Sequence, residues 1–334
     1  MKLDADFSVY SMLNQMHNMS ITKTKILVVL FILTGIRASS QHTPVTPISN
    51  RVFTPFIINP AIAGSKDFMA IDLAATVQGE DYSQLLSSNT RIAKKGPHYF
   101  GAPVSKSFTN FGVGAALFND QYGPSRTTGI SMAASYHMPL NDDKMSFLSG
   151  GVAVKGIYNV MDSIPETGAP QKESIIPNID AGVYIYSKNL YAGISATNLL
   201  GNLADSSTMA LYNIPISRQY FFAAGYKFVL SRSLNIILEP SIIINLDDSL
   251  DFARGKSYNP MIRLYMDAFC IGSYLHDFNN LTFFFQYKFP KVYIGTLVDF
   301  PRDVPFYKRD LTFEIAAGIN FGGITKTSGS RYQW

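Results

Sequence analysis

The chain is poor in charge, in histidine and in cysteine, and past its first 40 residues it has no apolar run long enough for a membrane helix. Charged residues make up 16% of it, against roughly 25% in a soluble domain, so a water-facing surface is undersupplied. A single cysteine, Cys270, excludes an intramolecular disulfide framework. Five histidines, with no zinc spacing, no phosphate-binding glycine loop and no dinucleotide fingerprint, leave no metal or cofactor implied. The net charge of +4 has no long basic tract behind it, which removes the basis for nucleic-acid binding. Lys94-Lys95 and Lys308-Arg309 read as solvated loop charges, and His98 and His276 as rim residues. Only Ser135 and His137, two positions apart, pair a nucleophile with a base. A hydrolase also needs a group to orient that base, and no Gly-x-Ser-x-Gly elbow is present.

What the chain does have is apolar residues, at 47%, and aromatics, at 13%, carried by Tyr and Phe with 24 glycines. Aromatic-rich, charge-poor sequence without long apolar runs suits strands of which only every second residue meets lipid. Alternation supports this. From Leu234 to Leu246 the even positions read Leu234, Ile236, Leu238, Pro240, Ile242, Ile244 and Leu246, with Asn235, Glu239, Ser241 and Asn245 among the odd ones. The same period recurs at Tyr220, Phe222, Ala224, Tyr226 and Phe228. It recurs at Leu281, Phe283, Phe285, Tyr287 and Phe289, and at Leu311, Phe313, Ile315, Ala317, Ile319 and Phe321. A soluble sandwich also alternates, but its outer face is more heavily charged. Pro240 removes a ladder donor and counts mildly against its strand.

These segments predict an all-β fold: an antiparallel transmembrane β-barrel of about fourteen strands. Their starts fall near Phe68, Tyr99, Asn110, Thr127, Lys144, Asn178, Leu190, Arg218, Ser233, Tyr258, Ala268, Leu281, Lys291 and Arg309. Short connections at 141–143, 187–189, 231–233 and 290–291 alternate with long ones at 79–97, 160–177, 198–217, 247–257 and 300–308. That rhythm predicts tight periplasmic turns on one rim, extracellular loops on the other, and both termini in the periplasm.

Before the barrel, residues 1–40 comprise a polar, unpatterned start and a segment that reads as a secretory signal. Met19 is read as its first residue, with Lys23, Lys25, an apolar run from Ile26 to Leu33, and Ala38-Ser39-Ser40 before Gln41. The run is about half the roughly 20 residues a membrane anchor requires. Residues 41–66 are expected to form a proline-bearing periplasmic lead-in, 67–321 the barrel, and 322–334 a flexible tail. Phe321 is favoured over Trp334 as the closing aromatic.

The residues also carry a family resemblance. Asn59-Pro60-Ala61-Ile62-Ala63-Gly64-Ser65 looks like the N-terminal motif of the PorP/SprF family of type IX secretion and gliding-associated outer-membrane proteins. Phe118-Asn119-Asp120-Gln121-Tyr122-Gly123 with Ser135-Tyr136-His137 resembles a second block of that family. Asp180-Ala181-Gly182-Val183-Tyr184-Ile185-Tyr186, followed by Tyr191-Ala192-Gly193-Ile194-Ser195 and Asn198-Leu199-Leu200, resembles a third, and Ala224-Gly225-Tyr226 with Glu239-Pro240-Ser241 a fourth. The blocks run in order from Asn59 to Phe321. The chain departs at Ala75-Thr76-Val77-Gln78-Gly79-Glu80, where members often carry Arg-x-Gln-Trp. It departs again at Leu311-Thr312-Phe313-Glu314, which keeps only the acid of a His-Glu pair. The resemblance implies a divergent, non-enzymatic outer-membrane barrel, exported and embedded in outer-membrane lipid, whose partners are other type IX components or a secreted surface adhesin. A channel or transporter for small or hydrophobic solutes is the alternative, because barrels of this size can be plugged or open.

Candidate partner-contact or rim residues are Asn59, Pro60, Ala61, Gly64, Ser65, Asn119, Asp120 and Gly123. Two readings stand for the first five: a turn that locks the lead-in to the barrel, with Gly64 at positive φ, or a direct contact with a partner. Asn119 and Asp120 before Gly123-Pro124 read as turn chemistry, and a calcium site is disfavoured without a dense acidic cluster. Asp180, Glu239 and Glu314 fall on the polar faces of their strands. Glu239 and Glu314 are expected to meet Lys227 or Arg263 in the lumen, because a buried charge is costly unless partnered.

Overall fold

A computed structural model of the chain describes residues 52–66, 68–93, 108–141, 146–162, 171–200, 218–247, 258–276, 280–289, 291–301 and 311–321. The signal segment, the tail, the predicted strand at Tyr99, and the charge pairs at 94–95 and 308–309 lie outside these residues.

Two short 3-10 turns, Pro55–Ile57 and Pro60–Ile62, precede the strands. The first strands are β1 (Met69–Gln78), β2 (Asp81–Ala93), β3 (Phe108–Tyr122), β4 (Ser125–Asn141) and β5 (Ser146–Met161). Next come β6 (Lys172–Tyr186), β7 (Leu190–Thr197), β8 (Gln219–Tyr226), β9 (Phe228–Ser231) and β10 (Ile236–Asp247). The last are β11 (Tyr258–Met266), β12 (Phe269–His276), β13 (Asn280–Lys288), β14 (Val292–Pro301) and β15 (Thr312–Phe321).

Apart from β8 and β9, which do not pair with each other, each strand pairs antiparallel with its sequence neighbours, and β15 pairs with β1 from Met69↔Phe321 to Val77↔Phe313, closing the wall. β8 and β9 both pair with β10 and are two lengths of one strand broken at Lys227, so the closed barrel has fourteen wall positions. Closure gives every wall strand a neighbour on each side, as backbone in hydrocarbon requires.

The alternation inverts that of a soluble protein. Along β4, Ile130, Met132, Tyr136 and Met138 are exposed while Ser131, Ser135 and His137 are buried. Along β15, Phe313, Ile315 and Ile319 face out while Thr312, Glu314 and Asn320 face in. An outer surface this apolar far exceeds the patch a soluble monomer tolerates; it is the lipid-facing band of an outer-membrane barrel. Strands β3 to β6 run 15, 17, 16 and 15 residues, beyond the roughly 9–11 that span a bilayer, so this side of the wall extends past the hydrocarbon.

One expected loop is a strand. The stretch 79–97 contains β2, joined to β1 by the two-residue turn Gly79-Glu80, with Gly79 at φ +60°. β2 escapes sequence reading because it carries polar residues on both faces: Asp81, Ser83, Ser87 and Arg91 are buried, while Gln84 is exposed and Ser88 and Thr90 are half-buried. The expected loop 160–177 is likewise shorter, since Met161 still pairs with Lys172, and Pro177 lies within β6 opposite Gly156.

Candidate functional site

The lead-in does not stop at the rim. Its second turn packs onto the inner faces of β4, β5 and β6, so residues 52–66 occupy part of the lumen. Pro55 and Pro60 each start a 3-10 turn, where a missing N–H costs nothing and the fixed φ helps. Asn59 caps the second turn by accepting from the Ala61 N–H at 3.0 Å. Its Nδ2 donates to the wall carbonyls of Val183 at 3.2 Å and Ile194 at 3.4 Å.

The carbonyls left over by so short a segment are met by serines on the wall. Ser195 donates to Ile58 O at 2.9 Å, Ser149 to Ala61 O at 2.7 Å and Ser135 to Ala63 O at 2.6 Å. Glycines in the wall allow the close approach. A Cβ on Gly112 would lie 2.2 Å from Ala63 O, one on Gly151 2.5 Å from the Ala61 nitrogen, and one on Gly182 2.2 Å from Asn59 Oδ1. Gly64 has φ +69° and turns the segment back towards β1 at a conformation other residues resist. Asn59, Pro60, Ala61 and Gly64 are buried and Ser65 half-buried. The motif therefore faces the barrel's own wall and offers a partner little surface.

Ser135 and His137 belong to this seat. His137 Nε2 lies 2.8 Å from Ala63 O, an acceptor only, so that nitrogen carries the proton and Nδ1 accepts from the Tyr186 hydroxyl at 3.0 Å. Arg91 donates to the same tyrosine and lies over the Phe147 ring, 4.9 Å from its centroid. Ser135 Oγ is 2.9 Å from His137 Nε2, but a protonated Nε2 cannot take a proton from serine. Both side chains are buried and aimed at one carbonyl. The chain arginine, tyrosine, histidine, carbonyl is a holding network.

Glu239, expected to meet Lys227 or Arg263, meets both. Arg263 Nη1 is 3.1 Å from Oε1 and Lys227 Nζ 3.9 Å from Oε2, and the Tyr191 and Tyr265 hydroxyls donate to it at 2.9 and 3.0 Å. Glu314 instead accepts from Thr76 at 3.0 Å. Asp180 pairs with Lys155 at 2.5 Å and accepts from the Asn198 N–H at 2.9 Å. Asn119, Asp120 and Gly123 are brought together elsewhere, at the β3–β4 turn. There Gly123 N–H donates to Asp81, Asp120 accepts from Ser83, and Thr128 donates to Asn119 on the outer face. Sequence reading singled out Ser135 but did not name Arg91, Tyr186, Ser149 or Ser195 as site residues; all lie on inward positions, the one signal that marks them.

Below the seat is a cavity of about 770 Å³, lined by the lead-in (Phe53, Lys66), by Arg91 and Tyr186, and by the Glu239 cluster. Its lining reaches Lys188, Arg232 and Lys288, beside the short β6–β7, β9–β10 and β13–β14 turns, and so opens at the rim that bears these three turns. Among the described residues no set of three His, Cys, Asp or Glu side chains converges as a metal site.

No curated protein matches the chain. Solved outer-membrane barrels resemble it at low identity. The Pseudomonas putida toluene transporter TodX is 10% identical, with a TM-score of 0.44, 85% of this chain and 95% of that one covered. A Pseudomonas aeruginosa FadL homologue is 9% identical, with a TM-score of 0.43 and coverage of 85% and 96%. Acinetobacter baumannii Omp33 is 12% identical, with a TM-score of 0.43 and coverage of 77% and 100%. A model of the type IX secretion system membrane protein PorP/SprF matches residues 40–319. That span takes in the lead-in, its wall seat and nearly the whole barrel, and the chain belongs to the PorP/SprF family of outer-membrane barrels.

Proposed function

We propose that this barrel acts by holding protein partners in type IX export or surface attachment, and that it turns over no substrate. Its partners are other components of the secretion system or a secreted surface adhesin. The observation that carries the reading is the seated lead-in. The lumen side chains best placed for chemistry, Ser135 and His137, hold residues 52–66, and the serines, glycines and Asn59 around them form one continuous bed for that segment. A lumen occupied in this way favours a protein-binding scaffold over a wide conduit. In this reading the rim with the β6–β7, β9–β10 and β13–β14 turns faces the periplasm and the opposite rim faces outward, where loops offer contact surface.

Deletion is expected to leave one or a few secreted proteins undelivered while general permeability stays unchanged. Asn59→Ala with Gly64→Ala should lower surface display of that cargo while the heat-modifiable barrel persists. The purified protein in planar bilayers should be electrically silent. A large steady conductance, with normal cargo delivery in the deletion strain, would overturn the proposal in favour of a solute channel.

A further inference from the structure

The cavity at the short-turn rim has a lopsided lining. Among the described residues seven basic side chains contribute to it, against Glu239 as the one acid. Arg263 and Lys227 share Glu239 and Lys66 lies within electrostatic reach of Asp72, so cationic groups outnumber carboxylates around the cavity. The other basic groups are well separated: Lys66 on the lead-in, Arg91 on β2, Lys188 and Arg232 at exposed turns, and Lys288 at the end of β13. Between them stand aromatic surfaces, among them Phe53, Phe147, Tyr186, Phe284 and Tyr293.

Resting on the partner-holding role proposed above, we infer that this cavity receives a short acidic, aromatic-bearing segment of a partner polypeptide from the short-turn side. Three features choose that occupant. Basic groups spread around the mouth suit negative charges distributed along a chain, whereas one compact anion needs donors converging on a point. The aromatic walls supply apolar contact that an inorganic anion cannot use. The closed wall separates the cavity from the bilayer, so a lipid headgroup has no lateral entry. Opposite charge at the mouth also raises the encounter rate and rejects basic chains.

The test uses the full membrane-inserted chain in nanodiscs of zwitterionic lipid. It is titrated with a short fluorescent peptide alternating glutamate and phenylalanine, and with its lysine counterpart. The expected result is saturable, salt-sensitive binding of the acidic peptide alone. Lys188→Glu with Arg232→Glu, at two exposed rim positions, should weaken it about tenfold while the barrel remains heat-modifiable. Equal binding of both peptides, indifference to the double reversal, or full displacement by inorganic phosphate or phosphatidylglycerol vesicles would each overturn the inference. Absent binding, with cargo still stranded by deletion, would sink the acidic-segment assignment and leave the partner-holding role standing. Absent binding with normal delivery would remove both.

Discussion

Gly151→Ala tests whether residues 52–66 are seated by the wall as described. The new Cβ would stand 2.5 Å from the Ala61 nitrogen and the Pro60 carbonyl carbon and 2.6 Å from Ala61 Cα. All three are backbone atoms, so no side-chain rotation relieves the clash and the segment must lift. Overpacking of this kind costs about 1–3 kcal/mol. The opposing grip consists of three serine-to-carbonyl hydrogen bonds and the Asn59 cap, each contributing about 0.5–1.5 kcal/mol net. The segment should therefore stay in place on average but open more often, by about 5- to 150-fold. Hydrogen exchange reads this directly at the Ala61, Ala63 and Ser65 amides, which donate to Asn59 Oδ1, Pro60 O and Ile62 O. Gly150→Ala is the matched control, since a Cβ there meets nothing within 4 Å. Exchange over 56–66 should quicken in the first variant only, with the barrel amides unchanged in both. Equal protection in the two variants, or loss of protection throughout the barrel, would refute the seating argument.

Arginine at Ile244, Phe285 or Ile315 should destabilise the inserted barrel by about 2–4 kcal/mol near the bilayer midplane, and Asn245→Arg or Gln286→Arg by less; equal damage in a heat-modifiability assay would mean the faces are reversed. Glu239→Gln leaves Arg263 and Lys227 without their carboxylate and should cost about 3 kcal/mol in unfolding from detergent. Arg126→Ala, which removes the exposed 3.7 Å contact with Asp162, should cost under about 1 kcal/mol; similar values for the two would contradict a lumen cluster held by pairing. Epitopes inserted at Gly168 and Asn189 should be reachable from outside and protected, respectively, and the opposite pattern would invert the proposed topology.

The sequence by itself determined the wall. Lipid on one side and a polar lumen on the other impose a two-residue period, and strands such as β10, β13 and β15 show it because both environments are uniform along their length. The strand number was legible for the same reason, although β2 was not: it has Gln84, Ser88 and Thr90 on its outer face and so lacks the contrast that reveals a strand. The pairing of Glu239 with Lys227 and Arg263 could be anticipated, because all three occupy inward positions and an inward charge needs a partner. Only the tertiary structure decided what lies inside. Asn59 to Ser65 is a recognisable motif, but its place in the lumen depends on Gly112, Gly151, Gly182, Ser135, Ser149 and Ser195, which are scattered over β3 to β7 and signal nothing singly. They become one bed when closure of the barrel turns their inner faces towards the same short segment. The same closure gathers Lys66, Arg91, Lys188, Arg232 and Lys288 around one cavity. Electrostatic fields add according to distance in space, which separation along the chain does not reveal.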